Sequence, residues 1–322
     1  ASAGGMVNAD MEPERTPADM IADLRHRSLN TDEERWVACL AQMAAAGKAA
    51  AGPLYGTVRG RVVLGKGAGG DRTLEIDRAC EAAIQEVLAA EAPGAYQLVS
   101  EEAGVVGPAG APWRVVVDPL DGSLNAKHGL ELFGTSLAVA RGGALGDVAV
   151  GHVQDYTRPH TFAAVKGAGL LLGGENGKGA QRLYDADRLA DAAVEVLLIE
   201  AGRPERHDFR YSDLSSIVGG QDTKDLRVRQ IGSLALSLCY LAMGVADVLV
   251  AAVHARSVDV AAGFLILHEA GGSIAALDDT DIWGQPLDLE RRGAFVAWRR
   301  GVDGAEITTR ARRLRKSLLF RP

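Results

Sequence analysis

The chain has 322 residues, enough for about two domains and a large core. Hydrophobic residues make up 47% and charged residues 24%, which excludes a disordered chain. Asp and Glu number 42 against 35 Lys and Arg, a formal net charge of -7 that disfavours nucleic-acid partners. Three cysteines, Cys39, Cys80 and Cys239, stand far apart with no CxxC spacing. That pattern argues against a disulfide framework or zinc cluster and for a reducing, cytoplasmic compartment.

Residues 1–16 read as a tag remnant and a disordered N-terminus, since 1–10 carry neither a basic n-region nor an apolar h-region. One helix, or two, is expected over 17–50, then a short Gly-punctuated β-ribbon over 53–65 and a flexible turn at 65–70. From Thr73 to Ala90 the residues Ile76, Cys80, Ile84 and Leu88 recur at helical period. Strands follow at Tyr96–Ser100, ending in Glu101-Glu102, and at Trp113–Val117, running into Asp118-Pro-Leu-Asp-Gly-Ser123. Further strands are expected at 134–141, 147–155 and 161–166. A change of texture at 173–180 divides an N-terminal α+β domain (17–172) from a C-terminal α/β domain (173–322).

The second half alternates strand and helix: strands at 194–200 and 226–230 flank a helical segment at 214–218. The largely apolar stretch Ser233–Val253 has the length of a membrane span. Gly244 and Asp247 interrupt it, and it reads instead as a helix–Gly–strand unit, with no membrane partner. An apolar helix at 258–270, strands at 273–277 and 293–297, and a basic helix at 305–319 complete the chain.

Acidic residues gather in four places. Asp118 and Asp121 end a hydrophobic strand, where Pro119 stiffens the bend and Gly122 permits an unusual φ. Such carboxylates can converge on a hard cation such as Mg²⁺, which takes oxygen ligands. The Gly122 and Ser123 amides then offer donors to a phosphate. Glu101 can lie beside Asp118 if their strands are neighbours; a Glu pair by itself is more often a solvated loop. Asp259 opens a helix, where an N-cap is the ordinary role. Asp77 lies in an amphipathic helix, where a solvated salt bridge is the default. His26, His152, His160 and His268 have no metal-binding spacing.

In order along the chain, Gly70–Asp77, Ser100–Glu102, Val117–Ser123, Gly232–Tyr240 and Ser257–Gly272 resemble the motifs of the inositol monophosphatase family. The resemblance covers roughly residues 20–300. It is closest in character to archaeal and actinobacterial members, which include dual inositol monophosphatase/fructose-1,6-bisphosphatases. It implies a layered α-β-α-β-α sandwich and a Mg²⁺-dependent, lithium-sensitive phosphatase with two or three ions, acting on a small phosphorylated metabolite. It implies a homodimer or homotetramer.

Carried over by residue, it implies Glu101, Asp118 and the Leu120 carbonyl as ligands of a first Mg²⁺. Asp118, Asp121 and Asp259 would hold a second, and Asp77 a third. Paired ions flank an in-line displacement, one activating water and one stabilising the leaving oxygen. Ser123, hydrogen-bonded toward Asp77, and Glu101 would orient and activate that water, while Gly122 and Ser123 amides bind phosphate.

The stretch before the second signature, Val250-Ala-Ala-Val-His254-Ala-Arg256, lacks the carboxylate with which inositol-type members grip sugar hydroxyls. His254 and Arg256 there, with Ser233, Leu234 and Arg227, are candidate substrate contacts and hint at a second anionic group. The cationic run Arg203, Arg206, His207, Lys224, Arg227 and Arg229 reads as solvated surface or as a second-phosphate site. Two alternatives stay open: a 3′-phosphoadenosine 5′-phosphate nucleotidase, which would need an adenine pocket, and a non-catalytic metal- or phosphate-binding regulator. Phosphate release with and without Mg²⁺ separates the regulator from the enzymes.

Overall fold

The computed structural model describes residues 27–173, 186–200, 217–218, 226–251, 255–278 and 280–319. The N-terminal segment 1–16, the linker at 173–180 beyond Gly173, His26, Arg203, Arg206, His207, Lys224 and His254 lie outside these residues.

The first described helix, α1 (Thr31–Ala51), starts where Asn30 caps it. Asn30 Oδ1 accepts from Glu33 N at 3.0 Å, and the Glu33 carboxylate accepts from Asn30 N at 2.9 Å. This reciprocal cap sets the start of this helix at Thr31, while residues 17–26 of the expected helical stretch lie outside the described residues. The expected ribbon at 53–65 is displaced. The Thr57 hydroxyl donates to Leu54 O and accepts from Gly60 N, holding residues 54–60 in turns. The ribbon pairs β1 (Val63–Lys66) with β2 (Arg72–Leu74) instead. Helix α2 (Glu75–Glu91) follows and buries Ile76, Cys80, Ile84 and Leu88.

A seven-stranded sheet comes next, in the order β4-β3-β5-β6-β7-β8-β9. Its strands are β3 (Tyr96–Ser100), β4 (Gly104–Val106), β5 (Trp113–Asp121), β6 (Gly134–Ala140), β7 (Val148–Asp155), β8 (Thr161–Val165) and β9 (Gly169–Gly173), with a short helix α3 (Ser123–His128) after β5. β3 and β5 run parallel, the other pairs antiparallel. Beyond a single-turn helix α4 (Ala186–Ala190) lies a five-stranded mixed sheet, order β11-β10-β12-β14-β13. It comprises β10 (Val196–Glu200), β11 (Arg227–Arg229), β12 (Val248–Ala251), β13 (Ser273–Ala276) and β14 (Phe295–Trp298).

Between the sheets lie α5 (Leu234–Ala242), buried at every position, and α6 (Ser257–Glu269), buried at nearly all. A helix apolar all round must be covered all round, and two sheets supply that cover. α1 and α2 pack on the outer face of the first sheet; α7 (Gly304–Leu319) packs on the second. The result is the expected layered α-β-α-β-α sandwich. The apolar stretch from Ser233 is the α5–Gly244–β12 unit, and no helix among the described residues is long and apolar enough to cross a membrane.

Candidate active site

The acidic residues meet because of one strand pairing and one bulge. β3 runs parallel to β5 with Ser100 opposite Val117, and Glu101 N donates to Val117 O at 3.1 Å. This sets Glu101 beside Asp118. On β5, Asp118 pairs with Ser136 and Asp121 with Gly134, so three steps on one strand match two on the other. In a regular strand, residues three apart point to opposite faces; the extra residue brings both carboxylates to one side. Gly122 then turns the chain at φ 87, and a Cβ there would meet Leu132 O at 2.9 Å. Only glycine fits this turn.

These residues line a cavity of about 150 Å³ together with Asp77, Ser123, Arg256 and Asp259. Carboxylate oxygens of Glu101, Asp118 and Asp259 all lie within 4.8 Å of one another. Asp121 is held differently. Ser233 Oγ donates to its Oδ2 at 2.6 Å, Ala235 N to the same oxygen at 2.8 Å, and Leu234 N to Oδ1 at 3.3 Å. Asp121 therefore receives the N-terminal amides of α5.

Asp77 and Asp259 occupy equivalent places on their helices. Each is the third residue, and each accepts the N–H of the residue before its helix: Leu74 N at 2.7 Å and Arg256 N at 2.6 Å. The cap reading and the cavity reading of Asp259 hold together. The N-termini of α2, α5 and α6 converge here, and their partial positive charge favours the carboxylates.

Burial opposes that charge. It pushes Asp77 up to about 7, with the Leu74 amide pulling the other way. Burial, with Asp259 and Glu102 beside it and Arg256 opposing, pushes Glu101 up to about 8. Asp121 rises to about 7 for the same first reason, against the pull of its Ser233 and Ala235 donors. Asp118 is driven well above the carboxylate range by burial and then by Glu101, Asp121 and Asp259. Asp77 Oδ1 is buried without a hydrogen-bond partner among the described residues. An all-oxygen donor set with raised pKa values and an orphaned carboxylate oxygen fits a divalent hard cation, whose charge would reverse those shifts.

Several expectations change. No Ser123–Asp77 hydrogen bond is formed: Asp77 Oδ2 accepts from Leu74 N, and Oδ1 has no partner among the described residues. Leu234 presents only its backbone; its side chain is packed in the core between the sheets. Ser233 meets Asp121. Arg227 sits exposed on β11, outside the residues lining the cavity, with its guanidinium on Leu226 O. Arg256, expected to face a substrate anion, is buried among carboxylates: Nη2 lies 2.7 Å from Glu101 Oε1 and 2.9 Å from Asp259 Oδ1, and Nη1 3.1 Å from Asp71 Oδ2. Asp71 and Glu200, which accepts Ile231 N and Gly232 N at 3.1 Å and Ser237 Oγ at 2.9 Å, went unmarked in the sequence. The partners of their side chains are 31 to 220 residues away.

Residues 32–315 match the model of the inositol monophosphatase family. A fructose-1,6-bisphosphatase/inositol-1-monophosphatase of Thermococcus kodakarensis is 31% identical over 239 residues, 74% of this chain and 80% of that protein. An inositol-1-monophosphatase of Mesorhizobium japonicum is 30% identical, over 80% of this chain and 86% of its own. A solved structure from Pyrococcus horikoshii, a hypothetical protein with similarities for inositol-1 monophosphatase, superposes with TM-score 0.66 at 23% identity, covering 87% of this chain and 98% of that one. The chain belongs to the inositol monophosphatase family and is a phosphoric monoester hydrolase.

Proposed function

We propose that this protein hydrolyses a small phosphomonoester, a sugar phosphate or bisphosphate or inositol monophosphate, in a Mg²⁺-dependent reaction. The observation that carries this is the trio Glu101, Asp118 and Asp259, its oxygens within 4.8 Å at the meeting of three helix N-termini. Glu101, Asp118 and the Leu120 carbonyl would hold one ion, Asp118, Asp121 and Asp259 a second, and Asp77 a third. Bound there, Mg²⁺ supplies positive charge that polarises water and the phosphoryl oxygens.

The chain's own groups do the rest. The Gly122 and Ser123 amides, at the start of α3, donate to phosphate oxygens and orient the ester. Ser123 Oγ and Asp77, on the same cavity wall, hold the attacking water. Glu101, on the same cavity, accepts a proton from that water. The relatives' printed names support sugar and inositol phosphates as substrates. The Arg256 contacts with Glu101 and Asp259 weaken the case that Arg256 binds a second substrate anion. Three buried, free thiols, Cys39, Cys80 and Cys239, fit a reducing cytoplasm, and the family reading includes a homodimer or homotetramer.

Phosphate release from fructose 1,6-bisphosphate, inositol phosphates and adenosine 3′,5′-bisphosphate, with and without Mg²⁺, tests the reading. Mg²⁺-dependent turnover of one of the first two supports it. Turnover confined to the nucleotide would favour the nucleotidase, and no turnover on any would overturn the proposal.

A further inference from the structure

Inside the acidic trio lies one cation that the chain itself provides. The Arg256 side chain is only 8% exposed. Its Nη2 bridges Glu101 Oε1 and Asp259 Oδ1 at 2.7 and 2.9 Å, and its Nε lies 3.2 Å from Asp259 Oδ2. Two of the three carboxylates that face one another thus have an oxygen turned to a guanidinium. The arrangement is built in locally. Arg256 precedes α6 and Asp259 is the third residue of that helix, so the two residues are neighbours by sequence.

We propose, on the reading that these carboxylates hold Mg²⁺, that Arg256 is a built-in counter-cation that competes with the ion for Glu101 and Asp259 and so sets the affinity of the site. A guanidinium cannot shed its proton, so it must move as a charge when an ion takes those oxygens. Its second arm shows where it goes. Nη1 already lies 3.1 Å from Asp71 Oδ2 and 3.4 Å from Gly69 O, in the turn between β1 and β2. Asp71 also meets Arg291 and is 55% exposed, at the cavity rim. Swinging outward, the guanidinium exchanges two inner carboxylates for one outer one and keeps a partner throughout. Without an ion, Arg256 neutralises part of the like-charge repulsion among Glu101, Asp118 and Asp259. With an ion, that role passes to the metal.

Two substitutions then act in opposite directions. Arg256→Gln removes the competitor, so the ion binds more tightly while the metal-free protein loses stability. Asp71→Asn removes the outer acceptor, so the guanidinium stays on Glu101 and Asp259 and the ion binds more weakly. If Asp71 works through Arg256, its substitution has no further effect once Arg256 is Gln.

The test is calorimetric titration of Mn²⁺ into the full, chelator-stripped chain without substrate, with a melting curve of each metal-free form. R256Q is expected to bind Mn²⁺ about 10-fold more tightly or better, because a like charge a few ångströms from the ion is gone, and to melt lower when metal-free. R256K keeps the charge without the two-armed bridge and should fall between R256Q and the parent, which covers the case of a poorly folding R256Q. D71N should weaken binding in the parent and change nothing in R256Q. Unchanged or weaker binding by both R256Q and R256K would overturn the role of Arg256. A D71N loss that persists in R256Q would overturn the outer-acceptor step. Absence of Mn²⁺ binding by the parent would instead overturn the metal reading itself.

Discussion

Asp118 is closely confined: 3% exposed, with Oδ1 taking the Leu120 amide at 3.0 Å and its own carbonyl taking the Thr135 hydroxyl at 2.8 Å. Its backbone is pinned by sheet and bulge, which turns its side chain toward the cavity. Asp118→Asn keeps shape and these hydrogen bonds but removes the negative charge. It should lower kcat at least about 100-fold, the upper loss typical of groups one shell further from a metal, with an unchanged circular dichroism spectrum. Activity near that of the parent would remove Asp118 from the ligand set.

The raised acids also link the site to stability. Asp77 and Asp121 move from 3.8 to about 7, and Glu101 from 4.5 to about 8, with burial the largest cause in each. An acid raised on folding binds more protons folded than unfolded between its two values. The stability these groups contribute is therefore present at low pH and lost as pH rises through the folded values. A divalent ion removes that loss. The gap in melting temperature between Mg²⁺-saturated and chelator-stripped protein should widen from about pH 5 to about pH 8. A constant gap would contradict the shifts.

At the level of elements, the site depends on where helices begin. α2, α5 and α6 each aim their first turn at the cavity, and the contact of α5 with α6 sets two of those directions. Gly263 makes that contact close: a Cβ there would meet Leu238 Cβ at 2.9 Å and Cδ1 at 2.6 Å. Leu238 could turn its tip away, but its Cβ cannot retreat. Gly263→Ala should cost about 1–3 kcal/mol of stability through overpacking. Combined with Leu238→Ala it should cost less than the sum of the two, as denaturant melts would show. Strict additivity would mean that the two residues do not press on each other.

For the whole molecule, one core runs from the first sheet through α5 and α6 into the second, so the two sheets share their interior. The second sheet is also fastened by a buried ion pair. Arg299 and Asp247 are both 0% exposed, with Nε and Oδ1 2.5 Å apart. Arg299 donates further to Asp191 O at 2.7 Å and Ala193 O at 2.8 Å, and Asp247 Oδ2 accepts from Arg188 and from the Glu195 and Val196 amides, each at 2.7 Å. Every lone pair that matters is answered. Arg299→Ala would leave a buried carboxylate half compensated and should cost about 3–5 kcal/mol, measured by denaturant unfolding. A loss under about 1 kcal/mol would mean that Arg188 alone suffices for Asp247.

The sequence by itself determined the pieces whose physics is local. Asp118-Pro-Leu-Asp-Gly-Ser123 and Ser257–Gly272 were legible because strand end, bend and helix start follow one another within a few residues. The helical period of Ile76, Cys80, Ile84 and Leu88 was legible for the same reason, and the ordered motifs pointed to the family. Short elements escaped: β2 and β4 span three residues each, below the length at which a period declares itself. Tertiary structure alone decided what depends on partners far along the chain. Parallel pairing of β3 with β5 set Glu101 beside Asp118, and the bulge opposite Ser136 and Gly134 turned Asp118 and Asp121 to one side. Arg256 reads as a substrate-facing cation in the sequence, yet the meeting of β3 with the start of α6 places its guanidinium among carboxylates. Spacing reports which face a side chain shares with its neighbours; which charge it meets across the fold depends on packing that brings distant segments within a few ångströms.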